Sequence, residues 1–419
     1  MFKFIHAADI HLDSPMHRLN EYDGAPIEEF RQATRRALEN LISLAESENV
    51  AFVLIAGDLY DGDWKDYNTG LYFVKQMSRL KDAGIPVYIV AGNHDAASRI
   101  TKSLKLPENV TLFSADKADT FTIEEIQVAV HGQSFASPSV TTDISKNYPT
   151  PLSGYFNIGL LHTCVTGREG HEPYAPCKLD NLVSKGYQYW ALGHVHTKEI
   201  LSNDPLIIFS GNTQGRNSRE TGPKGCILVT VDDMGKPQNN FKQLDVVRWV
   251  TLDIDVSTAE NGYDIISILE KDIEQAISKN YGMPLAIRLV ITGETPAHDD
   301  LLSHIEKWTN EIRATAVTAS SGYVWVEKIK FKITPPLSNT PMPTEGAMGE
   351  LLSLIDEIRN APEDFKDLVE ELRPLESKLP SELKLGDGGF QPDNPDWLSD
   401  ALDQVRPMLC KKLVGTGGV

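Results

Sequence analysis

The 419-residue chain is poor in cysteine: its four cysteines, Cys164, Cys177, Cys226 and Cys410, lie far apart. None forms a Cys-x-x-Cys pair, so neither a zinc ribbon nor a thioredoxin-type site is indicated, and reduced thiols are the simpler reading. Basic residues are also scarce. Lys and Arg total 40 against 59 Asp and Glu, a formal charge of −19. That balance counts against a histone-like or sequence-scanning DNA binder, which carries a basic footprint. It does not exclude an enzyme that works on nucleic acid, because net charge says little about one cleft. No apolar run approaches the ~18 residues of a membrane span. The start, Met-Phe-Lys-Phe-Ile-His, lacks the basic head, apolar stretch and cleavage site of a signal peptide. Internal repeats and low-complexity tracts are missing too. The expectation is a cytoplasmic protein that engages no membrane. With 41% hydrophobic and 24% charged residues it reads as globular, and its length implies two or three domains.

One pattern recurs through the first half: a short apolar run ends in a tight turn bearing His, Asp or Asn. Phe2 to Ala8 leads to Asp9 and His11, and Val50 to Ala56 leads to Gly57-Asp58. Val87 to Ala91 leads to Gly92-Asn93-His94-Asp95, Phe156 to Leu161 to His162, and Tyr187 to Leu192 to Gly193-His194-Val195-His196. Such runs read as buried strands. Between the early ones lie helical patterns. Phe30, Ala33, Ala37, Leu41, Leu44 and Ala45 share one face, and Leu71, Val74 and Leu80 share another. Alternating strand and helix predicts an α/β domain over residues 1–247, with polar residues at strand ends converging on one rim.

A separate α+β unit is expected over residues 248–334. Val250, Leu252, Ile254 and Val256 alternate with polar residues, as do Leu285, Ile287, Leu289 and Ile291. Helical stretches near Ile265 to Ile277 and Leu301 to Ile312 separate these from Ile329, Phe331 and Ile333. Pro335, Pro336, Pro341 and Pro343 mark a linker into a helical tail, residues 335–419. That tail holds 8 basic and 16 acidic side chains, so it carries −8 of the −19.

The strand-end residues define the chemistry. Asp9 and His11, two apart at a strand end, should face the same way. With Asp58, Asn93, His162, His194 and His196 they supply two carboxylates, one amide oxygen and four imidazoles. That set is too large for one metal ion and suits two that share a bridging carboxylate, a pair that clamps the attacking and leaving oxygens in hydrolysis. Imidazole-rich sites favour manganese, iron, zinc or nickel over magnesium. Two divalent ions are expected, manganese first, with iron or zinc open. Glycine before Asp58, Asn93 and His194 allows a tight turn and close backbone approach. His6, His17, His131, His171, His298 and His304 are read as ordinary structural histidines, and Asp61 and Asp63 as loop and capping carboxylates.

The order Asp-x-His, Gly-Asp, Gly-Asn-His-Asp, His, Gly-His-x-His resembles that of the calcineurin-like metallophosphoesterases, over residues 9–196. Gly211-Asn212-Thr213-Gln214-Gly215-Arg216, Arg219-Glu220 and Lys224-Gly225 look like the SbcD branch of DNA repair exonucleases. Tyr174-Ala175-Pro176-Cys177 and Tyr187 to His196 look closest to its YhaO-type members. The resemblance implies a two-sheet sandwich flanked by helices, a small capping domain and a helical tail. It implies that Asp9, His11, Asp58 and His196 hold one metal and Asp58, Asn93, His162 and His194 the other, with Asp58 bridging. His94 would stabilise or protonate the leaving oxygen, with a structural partner to Asp95 as its plainer alternative. It also implies a partner, an SbcC-like coiled-coil ATPase bound by the C-terminal helices, and a homodimer as a further assembly.

The phosphoprotein phosphatases of that superfamily carry Gly-Asp-x-x-Asp-Arg-Gly, whereas this chain has Gly57-Asp58-Leu59-Tyr60-Asp61-Gly62-Asp63. The missing arginine favours a diester. The resemblance to the SbcD branch then implies a DNA exonuclease with endonuclease action on single strands. A phosphoesterase for a small nucleotide or other phosphorylated molecule, and a nonhydrolytic scaffold, are the rivals. Candidate phosphate contacts are Arg216, Arg219 and Lys224, and the strand lysines Lys328, Lys330 and Lys332. Lysines that guard a sheet edge are the plainer reading of the last three.

Overall fold

The computed structural model describes residues 1–14, 27–61, 67–97, 105–165, 174–336, 347–360, 365–379, 389–395, 397–399, 401–402 and 405. His17, Asp63, His171 and Cys410 lie outside them. The first five strands are β1 (Phe2–Ala7), β2 (Phe52–Ala56), β3 (Val87–Val90), β4 (Val110–Leu112) and β5 (Asp119–Ile123). Next come β6 (Val128–Gly132), β7 (Phe156–His162), β8 (Tyr189–Gly193), β9 (Glu199–Asn203) and β10 (Leu206–Phe209). The last are β11 (Gly225–Val231), β12 (Pro237–Gln243), β13 (Arg248–Asp255), β14 (Leu285–Glu294) and β15 (Val324–Thr334).

They form two six-stranded sheets, ordered β12-β11-β1-β2-β3-β4 and β5-β6-β7-β8-β10-β9, and a three-stranded sheet, β13-β14-β15. In the first sheet β1-β2-β3-β4 run parallel to one edge and β11 and β12 extend the other side antiparallel; in the second, parallel β6-β7-β8-β10 are flanked by antiparallel β5 and β9. Strand alternation sets the layers. Phe4, Phe52, Leu54, Ala56, Tyr88 and Val90 meet Val128, Val130, Ile158, Leu160, Tyr189 and Ala191 in the core between the sheets. The intervening Ile5, Ala7, Val53, Ile55, Val87 and Ile89 point the other way, onto Leu38, Leu41, Phe73, Met77 and Leu80. Those residues belong to helices Ile27–Ser47 and Tyr67–Asp82. On the far side Leu161, Trp190, Leu192, Ile207 and Phe209 pack with Leu182 of helix Leu179–Ser184. The two-sheet sandwich flanked by helices is thus present.

Ala33, Ala37, Leu41 and Ala45 are buried as their periodicity predicts; the side chain of Phe30 is outside the described residues. The second helix differs. Leu71 is 62% exposed, and the buried stripe runs through Phe73, Met77 and Leu80. Its bulkiest i, i+4 pair, Phe73 and Met77, settled the face. Strands β9 to β12 deliver none of the candidate metal-site residues, and the sequence reading does not single them out.

Chain compactness divides the structure into two units. The larger comprises Met1–Val256, Gly262–Thr292 and Ser303–Lys332. The smaller comprises Ser257–Asn261, Gly293–Leu302 and Ile333–Val419, and includes tail helices Ala347–Asn360 and Phe365–Lys378. Within the larger unit β13 is welded to the preceding chain. Trp249 packs with Val247, Ala33 and Ala286, and its Nε1 donates to the Gly215 carbonyl at 3.0 Å. Buried Arg248 grips Asp245 through Nε at 2.8 Å and Nη2 at 3.0 Å, and its Nη1 donates to Asn280 Oδ1 at 3.0 Å. Removing one member of a buried ion pair strands the other charge. Arg248→Met is therefore expected to cost about 3–5 kcal/mol of stability. Urea unfolding checks this, and a loss below about 1 kcal/mol would show that Asp245 finds other solvation.

Candidate metal centre

The ends of β1 and β2 continue side by side beyond the sheet. Asp9 N donates to Gly57 O, His11 N to Asp58 O and Leu12 N to Leu59 O, at 2.9–3.0 Å. Asp9 (φ 50°), His11 (φ 45°), Asp58 (φ 52°) and His194 (φ 105°) all have left-handed backbones. Such conformations cost side-chain-bearing residues about 1–3 kcal/mol each and persist where the surroundings impose them. Asp9 and His11 therefore reach the site by turning the backbone; β1 ends at Ala7 and pleat alternation does not place them.

The glycines have distinct reasons. Gly57 has a φ of 92° and lies against His162, whose Nδ1 would sit 2.4 Å from an added Cβ. At Gly92 a Cβ would lie 2.3 Å from Asp58 Oδ1. The turns can approach the acidic centre this closely only without side chains.

The seven sequence candidates come together in two neighbouring groups. Asp9, His11 and His196 form one; Asp58, His162 and His194 form the other. Asn93 joins the second, with Oδ1 3.0 Å from His162 Nε2. Asp58 faces both: its Oδ2 is 4.0 Å from His11 Nε2 and 3.4 Å from His162 Nε2.

The outer nitrogen of each imidazole shows what the inner one offers. His11 Nδ1 is 2.6 Å from Asp61 Oδ1, and His196 Nδ1 is 2.8 Å from Glu220 Oε1. Both Nδ1 atoms therefore donate, and in the neutral rings both Nε2 atoms carry lone pairs. Yet those Nε2 atoms lie 3.3 Å apart. His162 Nδ1 also donates, to the Ala56 carbonyl at 2.9 Å, and its Nε2 lies 3.0 Å from the Asn93 amide oxygen and 3.4 Å from Asp58 Oδ2, where a proton or a metal ion can sit. Lone pairs converging in a buried space need a positive charge among them, a proton or a metal ion. The residues therefore fit divalent metal ions, and carboxylate-backed imidazoles are good metal ligands.

His94 stands apart. Its main-chain N donates to Asp58 Oδ1 at 3.0 Å, while its imidazole is 43% exposed with Nδ1 3.5 Å from Asp61 Oδ1. Asp95 is not its partner: the Asp95 oxygens accept from the main-chain N–H groups of Leu59, Tyr60 and Gly92. That buried carboxyl fastens the Gly57-Asp58 loop to the Gly92-Asn93 loop.

A calcineurin-like phosphoesterase family profile matches residues 2–198, and one for the middle domain of metallophosphoesterase YhaO matches residues 249–334. An uncharacterized metallophosphoesterase, YhaO of Bacillus subtilis (strain 168), is 35% identical over 297 residues, 70% of this chain and 72% of its own. The chain belongs to the calcineurin-like metallophosphoesterases. Two proteins named DNA double-strand break repair protein Mre11 are each 25% identical to it. That of Sulfolobus acidocaldarius aligns over 72% of this chain and 77% of its own; that of Saccharolobus solfataricus over 73% and 79%.

In this metallophosphoesterase two of the six sequence-proposed phosphate contacts are turned inward, which corrects that expectation. Arg216 Nη1 lies 3.3 Å from Asp61 Oδ1 and Nη2 3.3 Å from Glu220 Oε1. Buried Lys224 donates to the His196 carbonyl at 2.9 Å. Each charge is spent on groups that brace the histidines. Arg219 and Lys332 are exposed; Lys328 and Lys330 are half-buried on β15. Asp61 and Glu220 are the functional neighbours that sequence reasoning missed or misread: Asp61 is a brace for His11, not a capping carboxylate. Among the other histidines, His6 is buried between Tyr189 Oη and the Leu192 carbonyl, and His131 between Thr120 and Asn157.

Electrostatics agree with a demand for positive charge. Burial opposes ionisation of Asp58, but the charge and hydrogen bond of His162, with His11 and His94, hold its carboxyl well below the usual range. Burial likewise opposes charge on His162, but Asp58 and Asp9 prevail and push it up to about 9. His11, desolvated and beside Arg216, is pushed down to about 4. To serve as a ligand His162 must shed its proton. Manganese affinity is therefore expected to rise about tenfold per pH unit from neutrality toward pH ~9 and then level off. The same raised value makes the cation-free chain lose stability as pH rises through about 9, having the full contribution below His162's ordinary value near 6.5. Calorimetric titration across pH 6.5–9.5 checks the first expectation; an affinity independent of pH would show that no such proton is displaced.

Proposed function

We propose that this chain is a two-metal phosphodiesterase acting on DNA, an exonuclease with endonuclease activity on single strands. The observation that carries the reading is the pair of ligand groups joined by Asp58, with the half-exposed imidazole of His94 beside them. Asp9, His11, Asp58 and His196 would hold one ion; Asp58, Asn93, His162 and His194 the other. The imidazole-rich set favours manganese. When bound, the ions would supply Lewis acidity toward the phosphoryl oxygens and a nucleophile at neutral pH.

The chain's own groups would do the rest. Asp61 and Glu220 fix His11 and His196 with Nε2 inward, so no reorientation is needed when substrate binds. The His94 main chain holds Asp58, and its imidazole, open to solvent, is available to steady or protonate the leaving oxygen. Support for DNA as the substrate comes from the likeness to the Mre11 proteins, which the names tie to double-strand break repair. Arg219 and Lys332 would contact phosphates, visible as salt dependence.

The test is manganese-dependent hydrolysis of labelled duplex and single-stranded DNA, with a small nucleotide diester alongside. Asp58→Ala should abolish DNA cleavage. His94→Ala should lower turnover about 10²–10⁴-fold while two ions remain bound. Cleavage of the small diester alone would sink the DNA reading, and loss of ions from His94→Ala would show its role to be misassigned.

The acidic tail is proposed to dock a coiled-coil ATPase of the SbcC kind, since its −8 charge is ill suited to DNA. Removing residues 335–419 should abolish co-purification with that ATPase; unchanged binding would place the dock elsewhere.

A further inference from the structure

Arg216 is an inward-facing cation that the proposed chemistry leaves unused. Its side chain is only 16% exposed, yet it reaches two carboxylates at once. Nη1 lies 3.3 and 3.4 Å from the two Asp61 oxygens, and Nη2 lies 3.3 Å from Glu220 Oε1 and 3.4 Å from His196 Nδ1. Each carboxylate already accepts the Nδ1–H of one imidazole: Asp61 that of His11, Glu220 that of His196. The contacts form a closed chain, His11–Asp61–Arg216–Glu220–His196, whose two ends face each other at 3.3 Å through Nε2.

The second oxygen of each carboxylate is engaged as well, whereas the buried Arg216 Nε has no hydrogen-bond partner among the described residues. The Ser14 hydroxyl donates to Asp61 Oδ2, and Glu220 Oε2 accepts from Asn212 Nδ2 and from the Arg216 main-chain N, both at 2.8 Å. His162, in the other group, is oriented differently: its Nδ1 bonds to the Ala56 main-chain carbonyl at the end of β2, a fixed part of the sheet. His11 and His196 depend on side chains from two loops far apart in sequence. Only Arg216 bonds to both of those carboxylates among the described residues.

We propose that Arg216 is a positioning residue that locks the two carboxylate–imidazole pairs together and so shapes one of the two metal sites, that of Asp9, His11 and His196. The proposal rests on the two-metal reading of the site. A planar guanidinium can fork between two carboxylates, whereas an ammonium is a point charge, so lysine should not replace it. Orienting groups of this kind commonly set metal affinity by 10- to 100-fold.

Manganese binding to the full chain, followed by calorimetry and by the content of gel-filtered protein, tests this without reference to turnover. The wild-type chain should take up two ions. Arg216→Met should weaken one of them about 10- to 100-fold and leave the other within about threefold. Electron paramagnetic resonance should then change from a spin-coupled pair to a single ion. Glu220→Gln added to Arg216→Met should cost little more, because the two act as one unit. Where Arg216→Met fails to fold, Arg216→Lys serves, with the same selective loss in smaller measure.

Wild-type affinity for both ions in either folded variant overturns the proposal. So does equal weakening of both ions. Intact manganese binding with reduced DNA affinity would return Arg216 to the phosphate contacts and overturn it too. A wild-type chain that binds fewer than two ions overturns the two-metal reading itself, which separates that failure from the others.

Discussion

Buried lone pairs that face one another are the constraint on which this molecule turns. His11 and His196 present Nε2 to Nε2, His162 presents Nε2 to an amide oxygen, and Asp58 lies between the groups. Each arrangement needs a positive charge within it, a proton when the chain is cation-free or a metal ion when it is loaded. The fold sustains it by committing every outer imidazole nitrogen named above to an acceptor and by forcing four side-chain-bearing residues into left-handed backbone. The sandwich beneath is what makes that strain tolerable: parallel strands of both sheets end near one another and over-determine the turns.

Much of this could be read from sequence because the signal is local. An apolar run that stops at Gly-Asp or Gly-His reports a buried strand and a turn-borne polar group together, so Asp58, Asn93, His162, His194 and His196 stand out as candidates by position alone. The alternation that splits Phe4 from Ile5 and Leu54 from Ile55 between two cores is equally local. What escaped depends on direction. Arg216 and Lys224 looked like cations flanking a cleft; only tertiary placement shows them turned onto Asp61, Glu220 and the His196 carbonyl. Asp61 passed as a loop carboxylate because its partner His11 is 50 residues away. The helix carrying Leu71 and Phe73 has more apolar residues than buried positions, so periodicity left its inner face ambiguous.

The family assignment and the geometry bear on different questions. Sequence likeness to YhaO covers most of the chain and fixes the class, a metallophosphoesterase with its middle domain. Geometry then separates residues able to bind a cation from those that hold them in place, a distinction that motif order alone leaves unmade.

The loop from Gln214 to Glu220 serves two masters. One end is stitched to β13 and the chain before it: Gln214 Nε2 donates to the Val247 carbonyl at 2.6 Å and Trp249 Nε1 to the Gly215 carbonyl. The other end supplies the carboxylate behind His196. It has no slack, for a Cβ on Gly215 would lie 2.8 Å from the Glu220 carbonyl oxygen and 3.0 Å from Trp249. The seam and the centre therefore cannot be inherited piecemeal. A chimaera that grafts a foreign middle domain onto this sandwich must bring a matching Gln214–Glu220 segment, or it will trade a sound joint for a misaligned histidine.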